Sequence, residues 1–340
     1  MPVRSSSSLH GLLVVDKPGR PTATPPLAAA PIAAPAAVAT ARADGTPYLL
    51  TSHDVVARVR RWSGQRRIGH TGTLDPMASG VLVLCLGLAT RLVEYYQAAP
   101  KQYYAEIVLG AATDTYDAAG AVTATAPVPS LTAAAIAQTL AQFRGQVAQR
   151  APVYSALKQD GESLHRRARR GEEVAAPARE VTFYTIDLLA FAPPDRLALR
   201  VACSAGAYIR SLAHDLGLAL GTRGYLDLLR REQAGAFDLA AAHTLPAIEQ
   251  ASQTGELPGL LLPLGAGLPL PRVTASDDAI QRLGLGQMAE LDAEAGGDLV
   301  QVYDSGGRLA GIARCMDADA ARWKAEKWLA NALEAYADLR

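Results

Sequence analysis

Residues 69–80 read GHTGTLDPMASG and separate a basic segment from a strongly apolar run. Two glycines bracket His70 and Thr71, and glycine permits backbone angles and close ligand approaches that larger residues resist. Asp75 stands directly before Pro76. On these residues alone, Asp75 is either a functional carboxylate or a turn or helix-capping residue, with Pro76 at the first helical position.

The same stretch resembles the active-site signature of the TruB family, the bacterial tRNA pseudouridine-55 synthases. The shared pattern, GHTGTLDPxAxGVL, is long and nearly free of gaps, so it is far more specific than a short phosphate-loop pattern. Other blocks resemble the same family and together span nearly the whole chain: GLLVVDKP at 11–18, TSHDVV at 51–56, GAATDTYDAAG at 110–120, PVYSALK at 152–158, GAYIRSLAHDLG at 206–217 and LDLLRR at 226–231.

The resemblance implies an α+β fold, in which a mixed, largely antiparallel sheet forms the pseudouridine synthase core and helices flank it. We expect this catalytic domain at residues 1–262, a linker rich in proline and glycine at 263–271, and a small C-terminal β-rich PUA-like RNA-binding domain with a terminal helix at 272–340. Residues 21–50 depart from the family pattern as an insertion rich in alanine and proline. The spacing of its prolines excludes a long helix, so we expect a disordered or extended loop.

Local patterns predict several elements. A threonine- or serine-capped helix is predicted at residues 51–63. Residues 299–303 and 309–313 flank a turn that contains glycine, which predicts a hairpin. Two further helices are predicted: a very basic one at 162–171, which must face water or phosphate, and a terminal one at 319–339.

The net charge is zero, so only the distribution of charge points to a partner. Residues 55–70 carry five basic side chains and no acidic one, and residues 144–170 carry seven basic against two acidic. From residue 273 onward, acidic side chains outnumber basic ones by twelve to seven. Each basic cluster is either a solvated helix face or a polyanion contact, and their position on both sides of the signature favours RNA contact.

Three cysteines at positions 85, 203 and 315 lie more than a hundred residues apart. They lack metal-ligand spacing, and the histidines are equally scattered, so no metal site is predicted. Buried thiols of this kind suit a reducing cytoplasm. No signal segment and no apolar run long enough to span a bilayer is recognised, so we expect a cytoplasmic protein without membrane contact.

The resemblance also implies catalytic roles. Asp75 matches the family's catalytic aspartate, and Arg210 matches the arginine that pairs with it; without Asp75, Arg210 could equally be a surface arginine near a helix start. Tyr103 matches the tyrosine that stacks on the target base and relays the proton from C5, and Tyr208 would line the same pocket. The alternative for both tyrosines is an aromatic residue that only packs on a strand.

Substrate contacts are expected around this centre. His70 would stack in the space that a flipped base vacates, or would be a structural loop histidine. Lys17 and Lys158, with the two arginine clusters, would hold phosphates and position the RNA without reading its sequence. Gly69, Thr71 and Gly72 would shape the loop next to the substrate.

The expected function is therefore isomerisation of uridine 55, in the T-arm loop of tRNA, by base flipping, Asp-dependent glycosidic cleavage and reattachment through C5. The reaction leaves the composition of the base unchanged, so no cofactor is expected. We expect tRNA as the partner, no obligatory protein partner, and a monomer. The alternatives are an RNA-binding module or tRNA-folding chaperone with secondary catalysis, or the synthase subunit of a guide-RNA particle. A glycosidase would need a second suitably placed acid, and the signature carries none.

Overall fold

A computed structural model describes most of the chain: residues 9–20, 26–28, 40–41, 47–152, 158–159, 162–163, 170, 177–292, 297–318 and 321–330. Most of the 21–50 insertion, most of the predicted basic helix at 162–171 and the end of the predicted terminal helix lie outside these residues. The side chain of Lys158 also lies outside them, although its backbone belongs to a short strand.

Strands make up the larger part of the described structure. They are, in chain order, β1 (Gly11–Lys17), β2 (Thr40–Ala41), β3 (Pro47–Tyr48), β4 (Ile68–His70), β5 (Ser79–Leu86), β6 (Lys101–Leu109), β7 (Ala111–Thr113), β8 (Val122–Thr125), β9 (Gly145–Arg150), β10 (Lys158–Gln159), β11 (Glu162–Ser163), β12 (Ala178–Ala192), β13 (Arg196–Cys203), β14 (Gly224–Ala234), β15 (Phe237–Asp238), β16 (His243–Thr244), β17 (Arg272–Thr274), β18 (Ala289–Glu290), β19 (Leu299–Tyr303), β20 (Leu309–Asp317) and β21 (Arg322–Trp328).

Six α-helices accompany these strands within the described residues. They are α1 (Ser52–Ser63), α2 (Val93–Ala98), α3 (Ala133–Ala141), α4 (Ile209–Ala219), α5 (Leu245–Thr254) and α6 (Asp277–Gly284), with short 3-10 helices at Gly87–Leu92, Leu239–Ala241 and Leu257–Leu260. The predicted helix at 51–63 is confirmed: Thr51 is the N-cap, and its side chain and that of Asp54 form a reciprocal capping box.

One ten-stranded sheet organises the chain between β1 and β16. Its order is β16-β1-β5-β14-β6-β13-β12-β9, with β15 on β14 and β4 on β5. The β1–β16 and β5–β14 pairs are parallel and the other pairs antiparallel. The expected mixed, largely antiparallel sheet is confirmed.

The apolar strands β1 and β5 are buried on both faces. Alternate side chains of a strand point to opposite faces. Leu13 and Val15 therefore pack on one side, in a core that helices α1, α3, α4 and α5 share. Leu12 and Val14 pack on the other side, in a core that reaches Ile312 of β20. Burial on both faces explains why these strands are almost continuously apolar in sequence.

The C-terminal region forms a separate five-stranded sheet of order β17-β19-β20-β21-β18. The predicted hairpin is confirmed as the antiparallel pair β19 and β20. The predicted terminal helix is wrong over Arg322–Trp328, which is strand β21 paired with β20. The sequence RWKAEKW places Trp323 and Ala325 on one face with Trp323 buried, so pairing to β20 prevails over the helix propensity of its alanine, lysine and glutamate.

The segment expected as a linker, residues 263–271, packs against the second face of β1 and β5. Leu268 is buried there, and Leu264 and Leu270 are partly buried in the same core. Among the described helices, none has the length and apolar character that crossing a membrane demands.

Candidate active site

Asp75 lies in the loop between β4 and β5. The loop closes with a turn in which the N–H of Ala78 donates to the carbonyl of Asp75 at 3.0 Å. Pro76 is in this turn and starts no helix, so Asp75 is not a helix cap. Leu74 and Met77 on either side are buried in the helix-side core, whereas the Asp75 carboxylate remains 31% exposed. Apolar anchors thus hold a carboxylate at a partly open position.

Helix α1 holds the same loop through a side chain at its first residue. The hydroxyl of Ser52, which is fully buried, donates to the carbonyl of Leu74 at 3.0 Å and accepts from its N–H at 2.9 Å. The TSHD motif therefore has two local tasks: Thr51 and Asp54 start the helix, and Ser52 fixes the residue directly before Asp75.

Lys17 contradicts the expectation that it holds phosphate. Its side chain is fully buried, and its ammonium donates to the carbonyls of Ala78 at 2.7 Å, Pro18 at 3.0 Å and Pro76 at 3.1 Å. Burial lowers the pKa of Lys17 to about 7, while the nearby Asp75 carboxylate opposes this change. Position 17 lies on the same face of β1 as Leu13 and Val15, which is the face that points into the core. Lys17 therefore binds the backbone of the Asp75 loop from inside the protein and cannot reach RNA.

Arg210 lies on the first turn of α4, and its guanidinium meets Asp75 side-on. Nε lies 2.9 Å from Oδ2, and Nη2 donates to Oδ1 at 3.2 Å. Nη1 donates to the carbonyl of Thr115 at 3.0 Å and lies 3.5 Å from a carboxylate oxygen of Asp117. The expected pair is present, and a buried second carboxylate, which the sequence reasoning missed, holds the far side of the arginine.

A cavity of about 350 Å³ opens beside this ion pair. Asp75, Arg210, Tyr103 and Tyr208 all line it, so the structure brings together the residues that the sequence nominated. Burial raises the pKa of Tyr103, which keeps its phenol protonated. The backbone of Tyr208 is held by Gln149, whose amide donates to the Tyr208 carbonyl at 2.9 Å and accepts from its N–H at 2.8 Å.

Of the four residues at 69–72, two line the cavity and two lie in the strand that leads to it. Thr71 and Gly72 line the cavity. Gly69 and His70 instead lie in β4, opposite Cys85 and Leu84 of β5. The His70 ring makes an edge contact with the ring of His53 at 5.5 Å, and burial together with the charge of His53 lowers the pKa of His70. His70 is therefore a neutral, half-buried ring at neutral pH, suited to stacking.

Two cavity residues were not singled out from the sequence. Lys101 starts β6 and donates to the carbonyls of Gln97 and Ala99; burial lowers its pKa to about 8. Arg231 comes from β14 and reaches under the signature loop. Lys101 lies outside the resembling blocks, and Arg231 ends the LDLLRR block, whose pattern does not show where the side chain points. Their positions in the sheet are what bring them to the cavity.

The basic segment after Asp54 is largely exposed. Arg60, Arg61, Arg66 and Arg67 are exposed to solvent, and Arg60 also donates to the carbonyl of Ile68 at 2.7 Å. This places a cationic surface directly before the strand that ends in His70 and leads to the cavity.

Comparison with known proteins agrees with this geometry. Residues 60–209 match the model of the TruB family pseudouridylate synthase N-terminal domain. Residues 210–268 match the tRNA pseudouridylate synthase B C-terminal domain. A protein of Dehalococcoides mccartyi strain CBDB1, named tRNA pseudouridine synthase B, is 44% identical over 260 residues, which are 76% of this chain and 86% of that protein. The chain belongs to the TruB family.

Other TruB relatives extend the match. One from Xanthomonas campestris pv. campestris strain B100 is 40% identical over 92% of this chain and 91% of its own length. One from Xylella fastidiosa strain Temecula1 is 46% identical over 70% of this chain and 80% of its own length. Both are named tRNA pseudouridine synthase B.

Two solved structures have a similar fold. One, described as an H/ACA RNP bound to a substrate RNA containing 2'-deoxyuridine, aligns with a TM-score of 0.67 at 24% identity, over 94% of this chain and 84% of that one. The other, a Cbf5-Nop10-Gar1 complex, aligns with a TM-score of 0.65 at 26% identity, over 91% of this chain and 79% of that one. The chain thus shares its fold with a component of each of these two complexes.

Proposed function

We propose that this protein converts a uridine of tRNA, at position 55 in the T-arm loop, to pseudouridine. The observation that carries the proposal is the side-on pair of Asp75 and Arg210 at the mouth of a cavity of about 350 Å³ that Tyr103 also lines. The names of the TruB relatives supply the substrate class.

The reaction breaks the C1′–N1 bond, turns the base, joins C5 to C1′ and moves the C5 proton to solvent or to N1. Asp75 acts at the sugar, either as the nucleophile at C1′ or as the base that takes a proton from C2′. Arg210 stabilises its charge and fixes the direction of its oxygens. Tyr103 lies across the same cavity and serves the base, by stacking and by relaying the C5 proton.

A uridine within a folded loop reaches Asp75 only if it is extruded from the stack. His70 directly precedes Thr71, which lines the cavity, and in this proposal its ring would stack in the vacated space. The exposed arginines at 60–67 would hold phosphates on the approach to the cavity, a contact that positions RNA without reading its sequence. An enzyme acting on tRNA in this way would work in the cytoplasm.

The guide-RNA particle subunit is the second candidate, because one structural neighbour is described as an H/ACA RNP bound to a substrate RNA. The relatives named for tRNA share 40–46% of their residues with this chain, against 24–26% for the two structural neighbours. The greater similarity favours tRNA as the substrate and activity without a guide RNA.

We also propose a division into a catalytic domain at residues 1–262, a connecting segment at 263–271 and a PUA-like module from residue 272. The five-stranded sheet begins at Arg272 and has a core of its own, around Val300, Val302 and Trp323, which supports this division.

The test compares the wild type with Asp75→Asn on a T-arm stem-loop, without guide RNA or protein partners. We expect the wild type to form pseudouridine, measured by carbodiimide labelling and primer extension. Asp75→Asn should form none while its Kd changes by less than about threefold, because the amide keeps the shape but loses the charge. A stem-loop with cytidine at position 55 is the matched control. Turnover by Asp75→Asn would contradict the mechanism.

A further inference from the structure

Arg231 is a buried cation that the reaction outlined above does not use. Only 2% of the residue is exposed. Its Nε donates to the carbonyl of Val81 at 2.7 Å, its Nη2 to the carbonyl of Gly72 at 3.0 Å, and its Nη1 to that of Thr73 at 3.5 Å. These contacts fall on both sides of Asp75, so one guanidinium spans the loop that carries it.

The backbone of Arg231 lies between the two strands that matter for the site. It pairs with Gly80 of β5 on one side and with Tyr103 of β6 on the other. Gly80 has a φ of +103°, and a Cβ there would lie 2.2 Å from the Arg231 carbonyl oxygen. Glycine at position 80 is therefore required for the end of the Asp75 loop to approach β14 this closely.

The side chain of Arg231 also lies next to Tyr103. The two residues stand directly opposite each other on the antiparallel strands β14 and β6, so their side chains leave the sheet on the same face. Both line the cavity, and the positive charge of Arg231 opposes the rise that burial causes in the pKa of Tyr103. Arg231 thus stands between the Asp75 loop, which it binds, and the tyrosine that shares its face of the sheet.

We propose that Arg231 is a positioning residue that holds the Asp75 loop and the Tyr103 hydroxyl in one fixed geometry across the cavity. The proposal rests on the proposed function, in which Asp75 acts at the sugar and Tyr103 acts at the base of the same nucleotide. Because the two groups serve atoms a few bonds apart in sequential steps, their separation must suit both steps without rearrangement. A planar guanidinium carries five donors in a fixed fork, so it can span the carbonyls of residues 72, 73 and 81 and still face Tyr103. The ammonium of lysine is a compact point charge on a flexible stem and does not reproduce this fork.

The test compares Arg231→Lys with Arg230→Lys, its matched control. Arg230 is the preceding residue and is equally buried, but it faces the opposite side of β14, where it binds both oxygens of Asp16 at 2.9 and 3.1 Å. Both variants should lower the Tm. Only Arg231→Lys should lower kcat, by about a hundredfold, as expected of a misplacement near 1 Å, with KM changed by less than about threefold. An unchanged kcat for Arg231→Lys, or an equal loss in Arg230→Lys, overturns the proposal.

A second measurement is independent of turnover. In protein labelled with ¹³C at the Cζ of tyrosine, the Tyr103 signal is assigned by its loss in Tyr103→Phe. We expect the chemical shift of this signal to change in Arg231→Lys and to stay the same in Arg230→Lys. An equal chemical shift in Arg231→Lys and wild type overturns the proposal. If the wild type forms no pseudouridine but the signal moves, the proposed function fails while the link between Arg231 and Tyr103 stands.

Discussion

At the scale of single residues, the ion pair of the active site has a close counterpart elsewhere. Arg314 meets Glu326 on the C-terminal sheet with the same two nitrogens, at 3.0 and 3.2 Å. The difference is burial: the arginine side chain is 43% exposed there, against 5% for Arg210. An exposed pair contributes little to stability, whereas removing one partner of a buried pair leaves an uncompensated charge.

Replacement of Arg210 by alanine should therefore lower the stability, because it leaves the buried Asp117 carboxylate without its cation. It should also lower the reaction rate per folded molecule. We expect kcat to fall about 10²- to 10³-fold, as for loss of a positioned electrostatic group, with a much smaller change in Kd for the T-arm stem-loop. Single-turnover rates and filter binding measure the two quantities. Arg314→Ala is the control and should leave both unchanged. Equal rates for Arg210→Ala and wild type would refute a role for the ion pair.

The buried Lys17 predicts how stability depends on pH. Burial lowers its folded-state pKa to about 7, whereas in the unfolded chain it titrates near the ordinary value of about 10.4. Between these values the unfolded chain binds one more proton, so this group makes the free energy of unfolding rise with pH from about 7 to about 10. Urea unfolding at pH 7 and pH 9 should show a steeper rise in wild type than in Lys17→Met. Parallel slopes would show that Lys17 is not the source.

Among the secondary-structure elements, helix α1 has two roles, and a different residue at its start serves each of them. Thr51 caps the helix, whereas Ser52 binds the backbone of Leu74. The Ser52–Leu74 contact is long-range, made 22 residues along the chain. The orientation of the Asp75 loop thus depends on where this helix begins.

The two tasks predict different outcomes for alanine substitutions. Thr51→Ala should cost about 1 kcal/mol of stability through the lost cap, with kcat per folded molecule unchanged. Ser52→Ala leaves a buried N–H and carbonyl of Leu74 without this partner, which costs about 1–3 kcal/mol, and it should also lower kcat. Urea unfolding gives the stability of both variants, and steady-state kinetics gives their kcat. A normal kcat in Ser52→Ala would show that the Ser52–Leu74 contact does not position Asp75.

In the molecule as a whole, β5, which follows the Asp75 loop, and its neighbour β1 lie between two layers. Helices cover one face of β1 and β5, and the C-terminal sheet covers part of the other. Polar contacts add to this second interface: Arg91 donates to the carbonyl of Trp328 at 2.7 Å, and Lys327 lies 3.2 Å from Glu94. The C-terminal sheet therefore stabilises the scaffold that carries the Asp75 loop.

RNA binding should depend on the whole cationic surface and hence on salt. We expect log K for the T-arm stem-loop to fall linearly with log salt concentration. Arg66→Gln and Arg67→Gln should each reduce the slope by about one if each contacts a phosphate. Arg322→Gln, on the C-terminal sheet, is the control for loss of a positive charge. A slope near zero in wild type would argue against the basic surface.

The family, the class of fold and the central catalytic candidates could be predicted before any coordinates. Asp75 and Arg210 lie in long motifs, and Tyr103 follows from the resemblance that those motifs establish; the structure brings all three to one cavity. The start of α1 was equally readable, because a capping box is formed by residues three apart.

The directions of the cationic side chains, and which of them belong to the site, could be read only from the folded chain. Lys17 and Arg231 bind carbonyls 59 to 159 residues away in sequence, and Trp323 enters a sheet rather than a helix through its pairing with β20. Local patterns record the preferences of a segment for helix, strand or turn. They do not record the face that a long-range neighbour will cover, and burial by such neighbours turned Lys17 from a phosphate ligand into a support for the Asp75 loop.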